Sequence, residues 1–161
     1  IDVFVHNESQ KDKSRGWPSH LVIMDDGAGM IPEMIPAAFQ WGGTHRHGST
    51  SGLGKFGFGL PSASLAHGNR YKVFSKTTEN DKWFSAYLDV NKIAEDFTNE
   101  DGVVLIPDAK ETTLPKFVLE YMEQRKISIP KSGTIVVWED LDKDKLPGTI
   151  QDYSQSPNVT I

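Results

Sequence analysis

Two stretches of the chain join glycines to charged residues at spacings that suit ligand chemistry. The first, Asp25-Asp26-Gly27-Ala28-Gly29-Met30, follows directly on the apolar run His20-Leu21-Val22-Ile23-Met24. Such a run reads as a buried central strand, so Asp25 stands where a strand ends and a tight turn begins. The second is Gly52-Leu53-Gly54-Lys55-Phe56-Gly57-Phe58-Gly59-Leu60, where glycines interleave with apolar residues and one lysine. Backbone N–H groups in such a segment can face an anion where a helix opens. A third stretch, Ser132-Gly133-Thr134-Ile135-Val136-Val137-Trp138, reads as a β-branched strand carrying a threonine hydroxyl near its start.

Better-known motifs fit these residues poorly. A P-loop needs Gly-x4-Gly-Lys-Ser/Thr; its first glycine would fall on Ser49, and Phe56 follows Lys55. Gly52-Leu53-Gly54-Lys55-Phe56-Gly57 matches G-x-G-x-x-G by letter, but residues 44–51 upstream are polar or glycine. The dinucleotide fingerprint requires a hydrophobic strand there. His45-Arg46-His47 has no third ligand at a usual metal-binding spacing, and metal binding is not expected of it. Trp17, Trp41, Trp83 and Trp138 are scattered, which suits packing and not a base-stacking platform.

The elements that must position these residues are legible in outline. Residues 1–6 alternate as a strand, and the polar residues 7–19 form a hairpin-type connection to the strand over 20–24. Pro32 suits a first helical position, and Glu33 to Phe39 is expected as a short helix limited by Pro36. Residues 41–55 are polar, glycine-rich and without period, as functional loops often are. Ser62 to Ala66 is a helix closed by Gly68. Arg70–Lys76 and Lys82–Val90 alternate around a polar turn, a hairpin pattern, and Val103–Ile106 is expected as a short strand. Leu114, Phe117, Val118, Tyr121 and Met122 recur at helical spacing and read as a core-facing stripe. The polar stretch 147–161 is expected to be a tail or the start of a linker. The order of elements implies an α+β domain over residues 1–146, a mixed and largely antiparallel sheet with helices on one face.

The paired boxes, Asp25 to Met30 and Gly52 to Leu60, resemble the D-x-G-x-G and G-x-x-G-x-G-L boxes of the GHKL ATPases. That family includes DNA gyrase B subunits, ninety-kilodalton heat-shock chaperones, MutL, Microrchidia proteins and sensor histidine kinases. The Thr134 strand is similar to the one whose threonine completes the family's adenine pocket. The resemblance covers roughly residues 1–143 and implies a Bergerat-type two-layer sandwich that binds ATP or ADP. By carry-over, the Asp25 carboxylate would accept a hydrogen bond from the adenine amino group. Gly27 and Gly29 would let the backbone approach the base, Met30 would offer an apolar wall, and Thr134 would act directly or through water. Backbone N–H groups around Phe56, Gly57, Phe58 and Gly59 would face the phosphates, Gly52, Gly54 and Leu60 would belong to the same cofactor-binding box, and Lys55 and Arg46 would be counter-ions from a lid.

The family's Mg²⁺-holding asparagine and water-activating glutamate belong to a helix before the strand at residues 1–6. The chain opens on Ile1 in mid-strand, so it is expected to be a piece of something longer, and Mg²⁺ is expected only with that helix. Asn7 and Glu8 lie on the wrong side of the strand for these roles. The fragment is therefore expected to bind nucleotide without hydrolysing it, its parent being an ATP-driven conformational switch. The box Gly54-Lys55-Phe56-Gly57-Phe58-Gly59-Leu60 and the separate threonine strand place it nearer the gyrase, chaperone, MutL and Microrchidia side. A histidine-kinase catalytic domain is the first alternative; a degenerate, non-catalytic scaffold module is the second. A homodimer of the parent protein is compatible with this reading.

Composition narrows the field further. Among 161 residues, 17 Lys and Arg face 22 Asp and Glu, a net charge of −5, which argues against a general nucleic-acid sleeve. Hydrophobic residues make up 37% of the chain, and a domain of this size can bury a real core. No apolar run approaches the ~18 residues of a membrane span. The absence of cysteine removes disulfides, thiol catalysis and cysteine-zinc sites and fits a cytoplasmic setting.

Overall fold

A computed structural model describes residues 1–6, 18–42 and 57–142. Apolar residues build β1 (Asp2–His6), β2 (His20–Asp25), β3 (Gly68–Lys76), β4 (Trp83–Asp89) and β6 (Gly133–Leu141), and a short polar segment adds β5 (Lys110–Thr112). They form one sheet in the order β1-β2-β6-β3-β4-β5. Every pairing in it is antiparallel. β6, the last of the described strands, thus inserts between β2 and β3.

The two-residue period of a strand gives each face its own core. On the first face lie Leu21, Tyr71, Val73, Ala86, Leu88, Val136 and Trp138. They are covered by Leu60 and Leu65 of α1 (Gly59–His67), by Ile35 and Phe39, and by Ile93 and Phe97 at the ends of α2 (Ile93–Asp96). On the opposite face Phe4, Val22, Met24, Phe74, Ile135 and Val137 meet Val118, Tyr121 and Met122 of α3 (Lys116–Gln124). The rings of Phe4 and Tyr121 stack at 3.7 Å between centroids. The Leu114-to-Met122 stripe is therefore core, as its spacing implies.

The α+β expectation holds, and four details differ from the sequence reading. The sheet is antiparallel rather than mixed, and helices cover both faces rather than one, because α3 packs opposite α1. Residues 33–39 form two 3-10 turns, Pro32–Met34 and Pro36–Phe39, in place of one helix; a proline lacks the N–H that would carry an α-helical ladder through it. Val103–Ile106 is not a strand. Its backbone makes one bridge, Thr98 to Val104, and Val103, Val104 and Leu105 are exposed. The sixth strand is instead the polar β5, whose Lys110–Thr112 borrows its conformation from the edge of β4. Gly68 ends α1, and β3 and β4 form the expected hairpin. The connection over 7–17, most of the glycine loop (43–56) and the stretch 143–161 lie outside the described residues.

Candidate nucleotide site

At the end of β2 the sheet register sets three polar residues in a row. Asp25 pairs with Thr134 of β6, and Thr134 pairs with Ser75 of β3. All three belong to the face covered by α1, one step beyond the apolar Ile23, Val136 and Val73. Ser75 is fully buried, whereas Asp25 and Thr134 are half-buried at the mouth.

The turn after β2 is tied to this row. The Gly27 N–H donates to Asp25 Oδ1 at 2.9 Å, so the carboxylate caps its own turn. The Met30 N–H donates to Ser75 Oγ at 2.8 Å. Ser75 Oγ in turn donates to the Gly133 carbonyl at 3.0 Å and lies 3.1 Å from Thr134 Oγ1. Two glycines make the close packing feasible. Gly29 has φ +70°, and a Cβ there would overlap the Lys76 carbonyl; a Cβ on Gly133 would overlap the Asp25 carbonyl oxygen. Met30 packs against the core on the same face.

The second group of expected residues gathers at the start of α1. Gly57 takes φ +67° and leads into Phe58, which stands at the N-cap position without a side-chain cap. The first turn carries no acidic residue. Among the described residues no side chain caps this turn, and the N–H groups and positive dipole end of a helix start suit an anion. Leu60 turns into the core, whereas Phe58 is half exposed. The Gly42 N–H donates to the Gly57 carbonyl at 3.3 Å, and Trp41 Nε1–H donates to Ser62 Oγ at 3.3 Å. These bonds hold the residue before the segment 43–56 against the residue after it.

The structure therefore brings Asp25, Gly27, Gly29, Met30 and Thr134 together, and sets Gly57, Phe58, Gly59 and Leu60 at the opening of the helix on that face. Gly52, Gly54, Lys55 and Phe56, with His45, Arg46 and His47, lie outside the described residues. Ser75 escaped the sequence reading. Its signal was a serine two residues on from Val73 and four from Tyr71, at an inward position of a strand whose inward neighbours are apolar. A groove near Trp83, Leu114 and Ile129 belongs to the opposite face and shares none of these polar groups. Among the described residues, no cluster of three His, Cys, Asp or Glu stands where it could hold a metal ion.

The antiparallel α+β sheet, with the Asp25 carboxylate at the end of an inner strand and the start of α1 on the same face, has the architecture of an α+β ATPase domain. Residues 1–124 match the family described as histidine kinase-, DNA gyrase B- and HSP90-like ATPase, and the chain belongs to that family of ATP-binding domains. The match stops short of β6, so Thr134 joins the Asp25 site through the sheet pairing. No curated protein matches the chain. No helix among the described residues is long and apolar enough to cross a membrane.

Proposed function

We propose that this chain binds the adenine of ATP or ADP at the Asp25–Thr134 end of the sheet and its phosphates at the start of α1. The observation that carries the reading is the pairing of Asp25 with Thr134 across β2 and β6. It sets a carboxylate beside a hydroxyl above an apolar wall, which suits a planar base with an amino group on its edge. Gly27 and Gly29 let the turn lie flat against that base, and Met30 covers one face. The backbone N–H groups around Gly57, Phe58 and Gly59 hold phosphate oxygens, where the helix dipole favours negative charge. Residues 41–55, with Gly52, Gly54 and Lys55, would serve as a lid over the phosphates, a role supported by the Gly42 N–H bond to the Gly57 carbonyl.

Residues 1–161 by themselves bind nucleotide without turning it over, since Asp25 serves the base end. Mg²⁺ would accompany the phosphates only with the family's asparagine-bearing helix that precedes the first strand. The domain works within an ATP-driven conformational switch in the cytoplasm. The threonine strand, far downstream of the glycine box yet paired beside the Asp25 strand, favours the gyrase, chaperone, MutL and Microrchidia side of the family.

Titration calorimetry with ATP, ADP and GTP tests the reading. The protein should take up ATP and ADP in preference to GTP. Asp25→Asn should weaken ATP by the ~1.5–3 kcal/mol of a hydrogen bond to a charged group, roughly tenfold to 150-fold. Equal ATP affinity in wild type and Asp25→Asn would remove Asp25 from the site.

A further inference from the structure

We propose that Ser75 is a specificity-determining residue, which acts by fixing the direction of the Thr134 hydroxyl. The inference rests on the adenine reading above and deepens it. A serine hydroxyl has one hydrogen and room for two incoming donors. The hydrogen goes to the Gly133 carbonyl at 3.0 Å, and the Met30 N–H occupies one acceptor position at 2.8 Å. Thr134 Oγ1 lies 3.1 Å away. With the serine hydrogen already placed, that contact is completed by the Thr134 hydrogen pointing toward Ser75. Ser75 is fully buried, so water does not compete for these bonds.

Thr134 then presents only lone pairs to the site. Asp25, its neighbour across the strand pair, is also an acceptor when ionised. Two adjacent acceptors welcome a purine edge that carries an exocyclic amine and repel one that carries a carbonyl oxygen. Adenine has the amine at that position; guanine and hypoxanthine have the oxygen. A threonine free to rotate would offer its hydrogen to that oxygen and blunt the distinction. Ser75, which need not touch the base, prevents the rotation.

The test is the ratio of ATP to ITP affinity, measured by calorimetry on wild type, Ser75→Ala, Ser75→Thr and Asp25→Asn. Ser75→Ala should lower the ratio by roughly three- to tenfold, about the worth of one hydrogen bond, and Ser75→Thr should restore it. A purely structural role would weaken ATP and ITP together and leave the ratio unchanged, which overturns the proposal. Should Ser75→Ala not fold, Thr134→Val keeps the shape and removes the acceptor; an unchanged ratio in that variant overturns the proposal equally. Wild type that binds no adenine nucleotide defeats the functional reading and this inference with it. A loss of ATP binding in Asp25→Asn alongside a constant ratio in Ser75→Ala defeats this inference alone.

Discussion

Gly29→Ala is the substitution most directly answered by the geometry of the site. Gly29 holds φ +70°, and an added Cβ would overlap the carbonyl oxygen of Lys76, with its carbonyl carbon at 2.7 Å and the Gly133 oxygen at 3.1 Å. These are backbone atoms of two paired strands, so no side-chain rotation relieves the clash. A left-handed backbone costs an alanine about 1–2 kcal/mol, and forcing atoms into filled space costs about 1–3 kcal/mol. If the turn lifts away, the Met30-to-Ser75 hydrogen bond goes with it, about 0.5–1.5 kcal/mol more. The terms overlap, so a loss on the order of 2–5 kcal/mol is expected. That is a large share of the ~5–15 kcal/mol stability of an ordinary domain.

Urea denaturation followed by tryptophan fluorescence measures this loss, and ATP affinity should fall with it because the turn carries Asp25 out of register. Gly27→Ala is the internal control. Its Cβ would meet only the Asp25 Oδ1 atom, at 2.8 Å, and Gly27 is exposed. Stability should change by less than ~0.5 kcal/mol, while ATP binding weakens as the carboxylate is pushed aside. A Gly29→Ala protein within ~0.5 kcal/mol of wild type would show that the turn does not rest on the ends of β3 and β6.

Other expectations follow from single groups. Burial pushes the Tyr71 phenol well above its ordinary value, and its hydroxyl finds no partner among the described residues. The folded state therefore holds this proton more tightly than the unfolded chain, and stability should fall as pH rises above about 10. Tyr71→Phe should flatten that slope in alkaline melts and leave neutral-pH stability equal or higher; a steeper slope would refute the assignment. The hydrogen bond and charge of Lys76 hold the exposed Asp81 carboxyl below its usual range. Its small contribution should be intact above about pH 4 and vanish as pH falls through the lowered folded value. Asp81→Asn should remove that part of the acid dependence, as acid titration of the melting temperature would show. If residues 41–55 close over bound phosphates, a non-hydrolysable ATP analogue should slow amide exchange there. Exchange rates indifferent to the nucleotide would end the lid proposal.

Local chemistry told much about this protein before any folding was considered. A β-branched or apolar run announces a strand whatever lies beside it, which is why β2, the β3–β4 hairpin and the core of β6 were legible. The stripe from Leu114 to Met122 announced α3, and Gly68 its own place at the end of α1. Asp25 at a strand end, followed by two glycines, was legible as a tight turn for the same reason. Pairing partners were not. A two-residue period says which side chains share a face, but nothing about which strand lies alongside, so the sequence could not set β6 between β2 and β3. Nor could it assign α1 and α3 to opposite faces, since an apolar stripe fits either. β5 carries no hydrophobic pattern and exists because the edge of β4 offers it hydrogen bonds. Ser75 looked like one serine in a strand. Only when β6 brought Thr134 and Gly133 beside it, and the turn brought Met30, did its hydroxyl acquire three partners, because hydrogen bonds between residues far apart in the chain form only where tertiary packing closes the distance.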